Sequence, residues 1–325
     1  MTHWQTLSPA TTWAEWGQVF TAIDIWAPAV REICHRAGLP VETIEAGYPG
    51  SNAVFIVDRR YVVKIYAPLC PKDYAIECEL YPLLSRYPDL LTAELIAQGT
   101  LDGATTWPYI IISFLPGQPI REVREQMSQQ DRIAVAIDLG RRVRVLHSIP
   151  VHHQKVLETS REGWHAYVRQ ALAHTTRQLS GSEALSPALV QEIPSFVHQV
   201  LEGQGEPDLV LVSGDLTDDH VLLTPSAAGW SISGMIDFAD ALAAPPDYEW
   251  IALWFSALDR DTASLEAFAR GYGPPILLTP TFYDRALAYT FLHEYGATMI
   301  SDTLQRLSAP QVQTMATLRL LLWRS

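Results

Sequence analysis

Residues 209–220 read L-V-L-V-S-G-D-L-T-D-D-H, continue as V-L-L-T through 224, turn at 225–229, and return as G-W-S-I-S-G-M-I-D-F-A-D-A over 229–241. The apolar residues 210–212 lead into Ser213-Gly214-Asp215, residues 221–223 leave it, and 232–236 come back as a strand ending at Asp237. Asp237 follows Asp215 by 22 positions, and a hairpin between the flanking strands is able to bring the two acids together. Convergent carboxylates suit a hard divalent cation, which prefers oxygen ligands. Two solvated turn aspartates are the plainer alternative, because Asp supports turns by bonding its own backbone. The stretch alone leaves both readings open.

Composition narrows the class. The chain has 325 residues, 48% hydrophobic and 18% charged, which is enough apolar surface and length for two lobes. Its formal charge of −13 makes nucleic acid and anionic membrane poor partners, favours solubility, and is compatible with a cationic ligand. Three widely spaced cysteines (Cys34, Cys70, Cys78) with no CxxC argue against a disulfide framework or a structural zinc site. No apolar run approaches the ~20 residues that span a bilayer, and the first residues do not resemble a secretory signal. The expectation is a soluble, cytoplasmic protein.

Upstream, residues 13–37 read as a helix that Pro28 should kink or split and that Gly38-Leu39-Pro40 ends. From residue 41 the period changes to that of strands, with one approaching Gly47, one over 53–57 and one over 61–66. The small-residue turn at 47–52 exposes backbone N–H groups of the kind that cradle phosphate, but no Walker-type G-x-x-x-x-G-K-[ST] run is present. Lys64 sits in V-V-K-I-Y. A lysine in an apolar strand faces either water or a buried anion, and Val62 on the same face favours a covered one. Residues 73–87 read as a helix with Ile76, Leu80, Leu83 and Leu84 inward, and its Glu77 and Glu79 are candidate partners for Lys64. Strands follow over 92–99 and 108–115, and Leu115-Pro116-Gly117 breaks the second. Beyond it the pattern is helical, over 129–147, 163–179, 186–201, 248–258, 265–271, 281–306 and 310–323. The division expected is a helical segment at 1–40, a strand-rich lobe at 41–116, and a helical lobe at 117–325.

A loop between strands, a strand lysine, a helix glutamate, an apolar strand ending in a break, then G-D-L and I-D-F, in that order, resemble the aminoglycoside phosphotransferase family of protein-kinase-like small-molecule kinases. The resemblance runs over about residues 40–255 by these motifs. It implies an α+β, protein-kinase-like two-lobed fold, with a small antiparallel sheet and a larger mostly helical lobe. It also implies roles. Asp215 takes the catalytic-aspartate position and Asp237 the metal-binding one. Lys64 contacts the α- and β-phosphates, and Glu77 pairs with it. Ser51 and Asn52 offer loop amides to phosphate. Ser113, Phe114 and Leu115 form the hinge beside the base, and Val62, Leu222 and Ile236 wall it. The co-substrate implied is ATP or GTP with Mg2+, and the acceptor is a hydroxyl of a small molecule, with aminoglycosides and other antibiotics (hence antibiotic resistance) among the classes the family covers. Such chemistry depends mostly on positioning and charge neutralisation.

Two positions depart from the family pattern H-G-D-L-x-x-x-N. Ser213 stands for the histidine, and His220 stands for the asparagine that binds metal. Imidazole is a poor Mg2+ ligand and suits Mn2+ or Zn2+ better. Four alternatives for the second position stay open: His220 binds metal, Asp218 or Asp219 substitutes, the site is weakened, or His220 is a packed, hydrogen-bonded side chain and Asp237 holds metal without it. Asp218, Asp219, Asp240 and Glu249 are the candidate contacts for a cationic acceptor, with Glu249 equally suited to bracing its helix. Against an active kinase stands a degenerate kinase-like protein that binds nucleotide or a partner without turnover. Metal-assisted hydrolysis ranks last, because it has no use for Lys64 or the hinge.

Overall fold

Alternating burial along short strands builds the first sheet. The computed structural model describes residues 3–48, 50–152, 154–227, 229–273 and 278–323. Pro49 of the 47–52 turn and Ala228 of the 225–229 turn lie outside the described residues. The chain divides into two compact units, residues up to Gly117 together with Ser233–Asp240, and Gln118–Ile232 with the chain from Ala241 onward.

In the first unit, β1 (Ile44–Ala46), β2 (Ala53–Val57), β3 (Tyr61–Ile65), β4 (Leu95–Asp102) and β5 (Thr106–Ser113) form one antiparallel sheet in the order β1-β2-β3-β5-β4. One face carries Phe55, Val57, Val63, Ile65, Trp107 and Ile111 into a core shared with α1 (Trp13–Gly17) and α2 (Ile23–Arg36). Trp16 stacks on Trp107, and Trp26 meets Trp107 edge-on at 5.1 Å. Because side chains alternate along a strand, the opposite face presents Val62 and Lys64, with Lys64 registered between Val54 and Ile110. Helix α3 (Asp73–Leu84) buries Glu77, Leu80, Tyr81 and Leu84. Ile76 and Leu83, expected inward, are half-buried.

Two expectations about this unit change. The 13–37 helix breaks at residues 18–22 rather than at Pro28, which lies inside α2. A proline there forfeits one intrahelical bond and does not undo the helix. The break is fixed by the Trp26 indole N–H, which donates to the Val19 carbonyl at 2.8 Å. The helix expected to reach Tyr87 stops at Leu84. Tyr87 precedes Pro88, and a pre-proline residue avoids helical backbone.

The second unit opens with β6 (Gln118–Pro119) and α4 (Ile120–Val123), followed by α5 (Gln129–His147), α6 (Arg161–Ser180) and α7 (Pro187–Gln204). Then come β7 (Val210–Val212), β8 (Val221–Ser226), β9 (Gly229–Met235) and β10 (Leu242–Ala244). β6 pairs with β8, and β7 pairs with β10. The turn expected at 225–229 starts later, since β8 runs on to Ser226. The aromatic helix at 248–258 is α8 (Glu249–Ala252) with a wider last turn, in which the Leu258 amide reaches back to the Leu253 carbonyl. Then α9 (Thr262–Tyr272), α10 (Pro280–Leu292), α11 (Gly296–Arg306) and α12 (Met315–Leu322) complete the chain. The single helix expected over 281–306 is therefore two, parted at His293, which has extended backbone.

Candidate active site

In the first unit the site is built around one cation. Lys64 is 4% exposed, and its Nζ lies 2.8 Å from Glu77 Oε2 and 2.9 Å from Asp237 Oδ1. Asp237 is delivered by the end of β9, where the Met235 amide donates to the Leu91 carbonyl and the Ser233 hydroxyl donates to the Pro116 carbonyl. Asp237 itself holds φ at +60°, a left-handed conformation that Asp tolerates better than most residues. Such backbone persists where its surroundings over-determine it, often at functional positions.

Glu77 is the hub on the helix side and is fully buried. Besides the lysine, its carboxylate accepts from Tyr66 Oη at 2.6 Å, Tyr81 Oη at 3.2 Å and the Phe238 amide at 3.3 Å. Burial pushes the Glu77 carboxyl up, and the Lys64 ammonium opposes it. Burial also works against the Lys64 charge, but the Asp237 and Glu77 carboxylates outweigh it and raise the lysine above its ordinary value. Four donors around one carboxylate and two carboxylates around one ammonium hold the pair ionised. Of the two glutamates offered by the sequence, Glu77 is the partner of Lys64.

The 47–52 turn is braced from outside the sheet. The Trp16 indole donates to the Ser51 carbonyl at 2.9 Å. Asn52 is 2% exposed, and its side chain accepts from the Ala67 amide and donates to Asp73. In the segment expected to be the hinge, the Ser113 amide donates to the Glu94 carbonyl and the Phe114 amide to the Arg60 carbonyl, both at 2.9 Å. Val62 and Ile236 are half-buried in the first unit, and Leu222 is buried in the second.

In the second unit, the turn after β7 is held by its own neighbours. Ser213 donates twice to Glu249, from N at 2.7 Å and from Oγ at 2.6 Å. His220 Nδ1 is 2.5 Å from the Asp215 carbonyl oxygen. A carbonyl only accepts, so Nδ1 carries a hydrogen and donates it. Asp218 pairs with Arg124 at 2.6 Å and Asp219 with Arg121 at 2.7 Å. Glu249 is 1% exposed. Three of the four acids offered as acceptor contacts are thus engaged within the protein, while Asp240 is exposed.

The family model of the phosphotransferase enzyme family (APH) matches residues 41–288. The chain belongs to that family. Its fold is α+β, a protein-kinase-like two-lobed architecture with a small antiparallel sheet and a larger helical part. Among solved structures it is similar to the GDP complex of aminoglycoside 2'-phosphotransferase-IIIa, with a TM-score of 0.64 and 15% identity over 86% of this chain and 92% of that one. It is also similar to the streptomycin-ATP-APH(2")-IIa ternary complex, with a TM-score of 0.57 and 16% identity over 82% and 87%. A third, aminoglycoside-3'-phosphotransferase of type VIII, gives 0.56 and 18% identity over 83% and 98%. Among curated proteins, the lysine-specific demethylase JMJ21 of Arabidopsis thaliana is 22% identical over 249 residues, 64% of this chain and 25% of that protein. The chain therefore spans about a quarter of that relative's length.

Several residues around the site are additional to those that the motif pattern singles out. Tyr66 and Tyr81 complete the Glu77 hub, and they were readable in principle: one lies two positions along the strand from Lys64, the other one helical turn after Glu77. Arg121 and Arg124 gave no pattern that pointed to Asp218 and Asp219. Nor did Trp16, which precedes the family match altogether. Among the described residues, no cluster of three or more His, Cys, Asp or Glu could hold a metal ion by itself.

Proposed function

We propose that this protein transfers the γ-phosphoryl group of ATP or GTP to a hydroxyl of a small molecule. The observation that carries the reading is the buried lysine between two carboxylates, 2.8 Å from Glu77 and 2.9 Å from Asp237. A desolvated, pre-aimed ammonium is costly to bury and well suited to phosphate oxygens. Family membership supplies the rest of the argument. Lys64 meets the α- and β-phosphates, and Glu77 holds Lys64 in place. Ser51 and Asn52 present their loop to phosphate, with the Asn52 side chain already spent on bracing it. The amides of Ser113 and Phe114 are committed to the sheet edge, so Leu115 is the hinge residue whose amide meets the base. Val62, Leu222 and Ile236 are its apolar walls. Asp215 orients the acceptor hydroxyl and takes its proton.

Asp237 and His220 carry donor atoms of the kinds a divalent metal takes. Asp237 offers a carboxylate whose side chain is 35% exposed, and His220 offers an imidazole with its hydrogen committed at Nδ1. Family membership makes Asp237, in the first unit, and His220, in the second, each a candidate ligand for Mg2+ or Mn2+, an ion that kinases usually bind through few protein groups and the substrate phosphates. The metal would neutralise phosphate charge during transfer. A carboxylate with an imidazole leans toward Mn2+.

Two of the similar solved structures are complexes with kanamycin and with streptomycin, which makes aminoglycosides the first compounds to try. Of the four candidate acids Asp240 is the most exposed, which makes it the first to test against a cationic acceptor. A second reading, nucleotide binding without transfer, draws on one observation: a metal at Asp237 must compete with Lys64 for the same carboxylate. The deciding experiment is turnover of ATP and GTP, with Mg2+ and with Mn2+, against a panel of aminoglycosides, sugars, amino alcohols and hydroxylated amino acids. Phosphorylated product, lost in Asp215→Asn with nucleotide binding retained, establishes transfer. Full activity in Asp215→Asn removes Asp215 from its role. Stabilisation by nucleotide with no product under either metal selects the second reading.

A further inference from the structure

The turn before the proposed base is gripped at three successive residues by three side chains. Glu249 holds Ser213, and His220 holds the Asp215 carbonyl. Between them, the Gly214 carbonyl lies 2.9 Å from His293 Nε2, a contact made across 79 positions of sequence. His293 is 1% exposed. Its other ring nitrogen, Nδ1, accepts from the Tyr295 amide at 3.2 Å. That bond requires a lone pair at Nδ1, so Nε2 carries the hydrogen and the bond to Gly214 is a donated one. Both nitrogens of a neutral imidazole are thereby used, one to hold the ring and the other to hold the turn.

The element that presents His293 is shaped for this purpose. α10 stops at Leu292 and α11 starts at Gly296, and His293, the first of the three residues between them, leaves helical backbone with ψ near 140°. The break has a glycine built into it, because a Cβ at Gly296 would collide with the Thr290 carbonyl. The imidazole then lies stacked on Tyr248, 5.0 Å between centroids, in the segment that leads into Glu249. An uninterrupted helix would keep its own hydrogen bonds and could not direct this ring at Gly214. Gly214 itself has φ at +83°, a conformation L side chains rarely adopt, so the direction of its carbonyl is not set by ordinary backbone preference.

We propose that His293 is a positioning residue for Asp215, acting through the Gly214 carbonyl, with Glu249 fixing the residue before it. The proposal rests on the reading of Asp215 as the acceptor of the hydroxyl proton. By donating to Gly214, His293 sets the peptide plane from which Asp215 departs and so the direction of its carboxylate. Misplacement of a reacting group by a fraction of an ångström to an ångström lowers turnover more than binding.

The test compares His293→Phe, which keeps a ring on Tyr248 and removes the donor, with His293→Gln, which keeps a donor at similar reach and removes the ring. Three readings are taken: kcat and KM on the acceptor found for the wild type, the nucleotide-induced melting shift, and amide hydrogen exchange over residues 213–217. The expected result for His293→Phe is a kcat lower by about 10–100-fold, a nucleotide KM within about twofold of wild type, and faster exchange in the turn. His293→Gln recovers most of the kcat. A folded His293→Phe with wild-type kcat and wild-type exchange overturns the proposal. So does equal loss in both variants with exchange unchanged, which would mark the ring as packing. If His293→Phe does not fold, His293→Gln decides: turnover and protection retained support the donor, and turnover lost with protection intact refutes it. A wild-type protein that phosphorylates nothing defeats the reading of Asp215 as base; the exchange comparison then still supports or refutes the grip on Gly214 by itself.

Discussion

Lys64 and His293 are both buried polar side chains, and opposite charge states keep them there. Lys64 is kept charged by two carboxylates, and the Glu77 side of that pair is the more fragile. In Glu77→Leu the ammonium keeps Asp237, while Tyr66 Oη, Tyr81 Oη and the Phe238 amide lose their acceptor. Removing one member of a buried ion pair costs about 3–5 kcal/mol, so the urea midpoint of Glu77→Leu is expected to fall by at least that equivalent, with nucleotide binding lost as well. A midpoint within about 1 kcal/mol of wild type would show that Glu77 does not carry the cluster. His293 is kept neutral: burial depresses it from an ordinary 6.5 to about 4, against the raising effects of the Gly214 carbonyl and Glu249. Tyr248 and Tyr295 also lie beside it, and Glu294 follows it in the chain. A depressed folded value means that the unfolded chain takes up the proton first. Stability from this residue is therefore complete above pH 6.5 and drains away as pH falls toward 4. Between pH 7 and pH 4.5 the wild type should lose roughly 2–3 kcal/mol more than His293→Gln, read as the difference between their urea midpoints at the two pH values. Equal losses would mean that the proton enters elsewhere. Of these two residues, Lys64 was legible from sequence and His293 was not. A lysine among Val62, Val63 and Ile65 contradicts its local environment, and that conflict draws attention to it. A histidine in a long helical pattern contradicts nothing, and its partner is 79 positions away.

Helices and strands were legible where period and punctuation agreed. Residues 129–147 were read correctly to the residue, because Ser128 caps the start and Asp131 closes a capping box with it. The misreadings fell where a tertiary contact overrides the local pattern. Apolar periodicity runs on through residues 281–306, and what parts α10 from α11 is the turn that sends His293 to Gly214. Proline at 28 looked like the breaker of the first helix, yet the break lies at 18–22, where Trp26 ties back to Val19. α1, set off by that break, then has a task that periodicity cannot express: its Trp16 stacks on Trp107 and donates to the Ser51 carbonyl in the 47–52 turn. Trp16→Phe keeps an aromatic ring in the core and removes the donor. Losing one hydrogen bond of about 1 kcal/mol should loosen the turn and raise the nucleotide dissociation constant about three- to tenfold, with kcat changed much less. Titration of nucleotide against both proteins checks this. An unchanged constant would confine α1 to packing.

For the molecule as a whole, the order of motifs carried more information than any one of them. A strand lysine, a helix glutamate and two aspartates are each common, but their sequence along the chain fits the region that the family model matches, residues 41–288. What the order left undecided was the metal, because His220 replaces an asparagine in the pattern and the two proposed ligands are ordinary residues apart from that order. Net charge adds a constraint. At −13 the protein repels a nucleoside triphosphate at long range, most strongly at low salt. Metal-free nucleotide should therefore bind weakly and gain affinity as salt is added, whereas the metal complex should bind well in both. Saturation at about 100 times the dissociation constant stabilises a protein by about 2.7 kcal/mol, which for a chain of this size is a melting shift of about 5 °C. In wild type the shift with Mn2+ and nucleotide is expected to exceed that with Mg2+, because His220 presents nitrogen where Mg2+ favours oxygen. His220→Asn should reverse that order by restoring an oxygen donor, and Asp237→Asn should abolish the metal-dependent part under both ions. Equal shifts with the two metals, unaltered in His220→Asn, would place His220 away from the metal and leave its Nδ1 bond to the Asp215 carbonyl as its function.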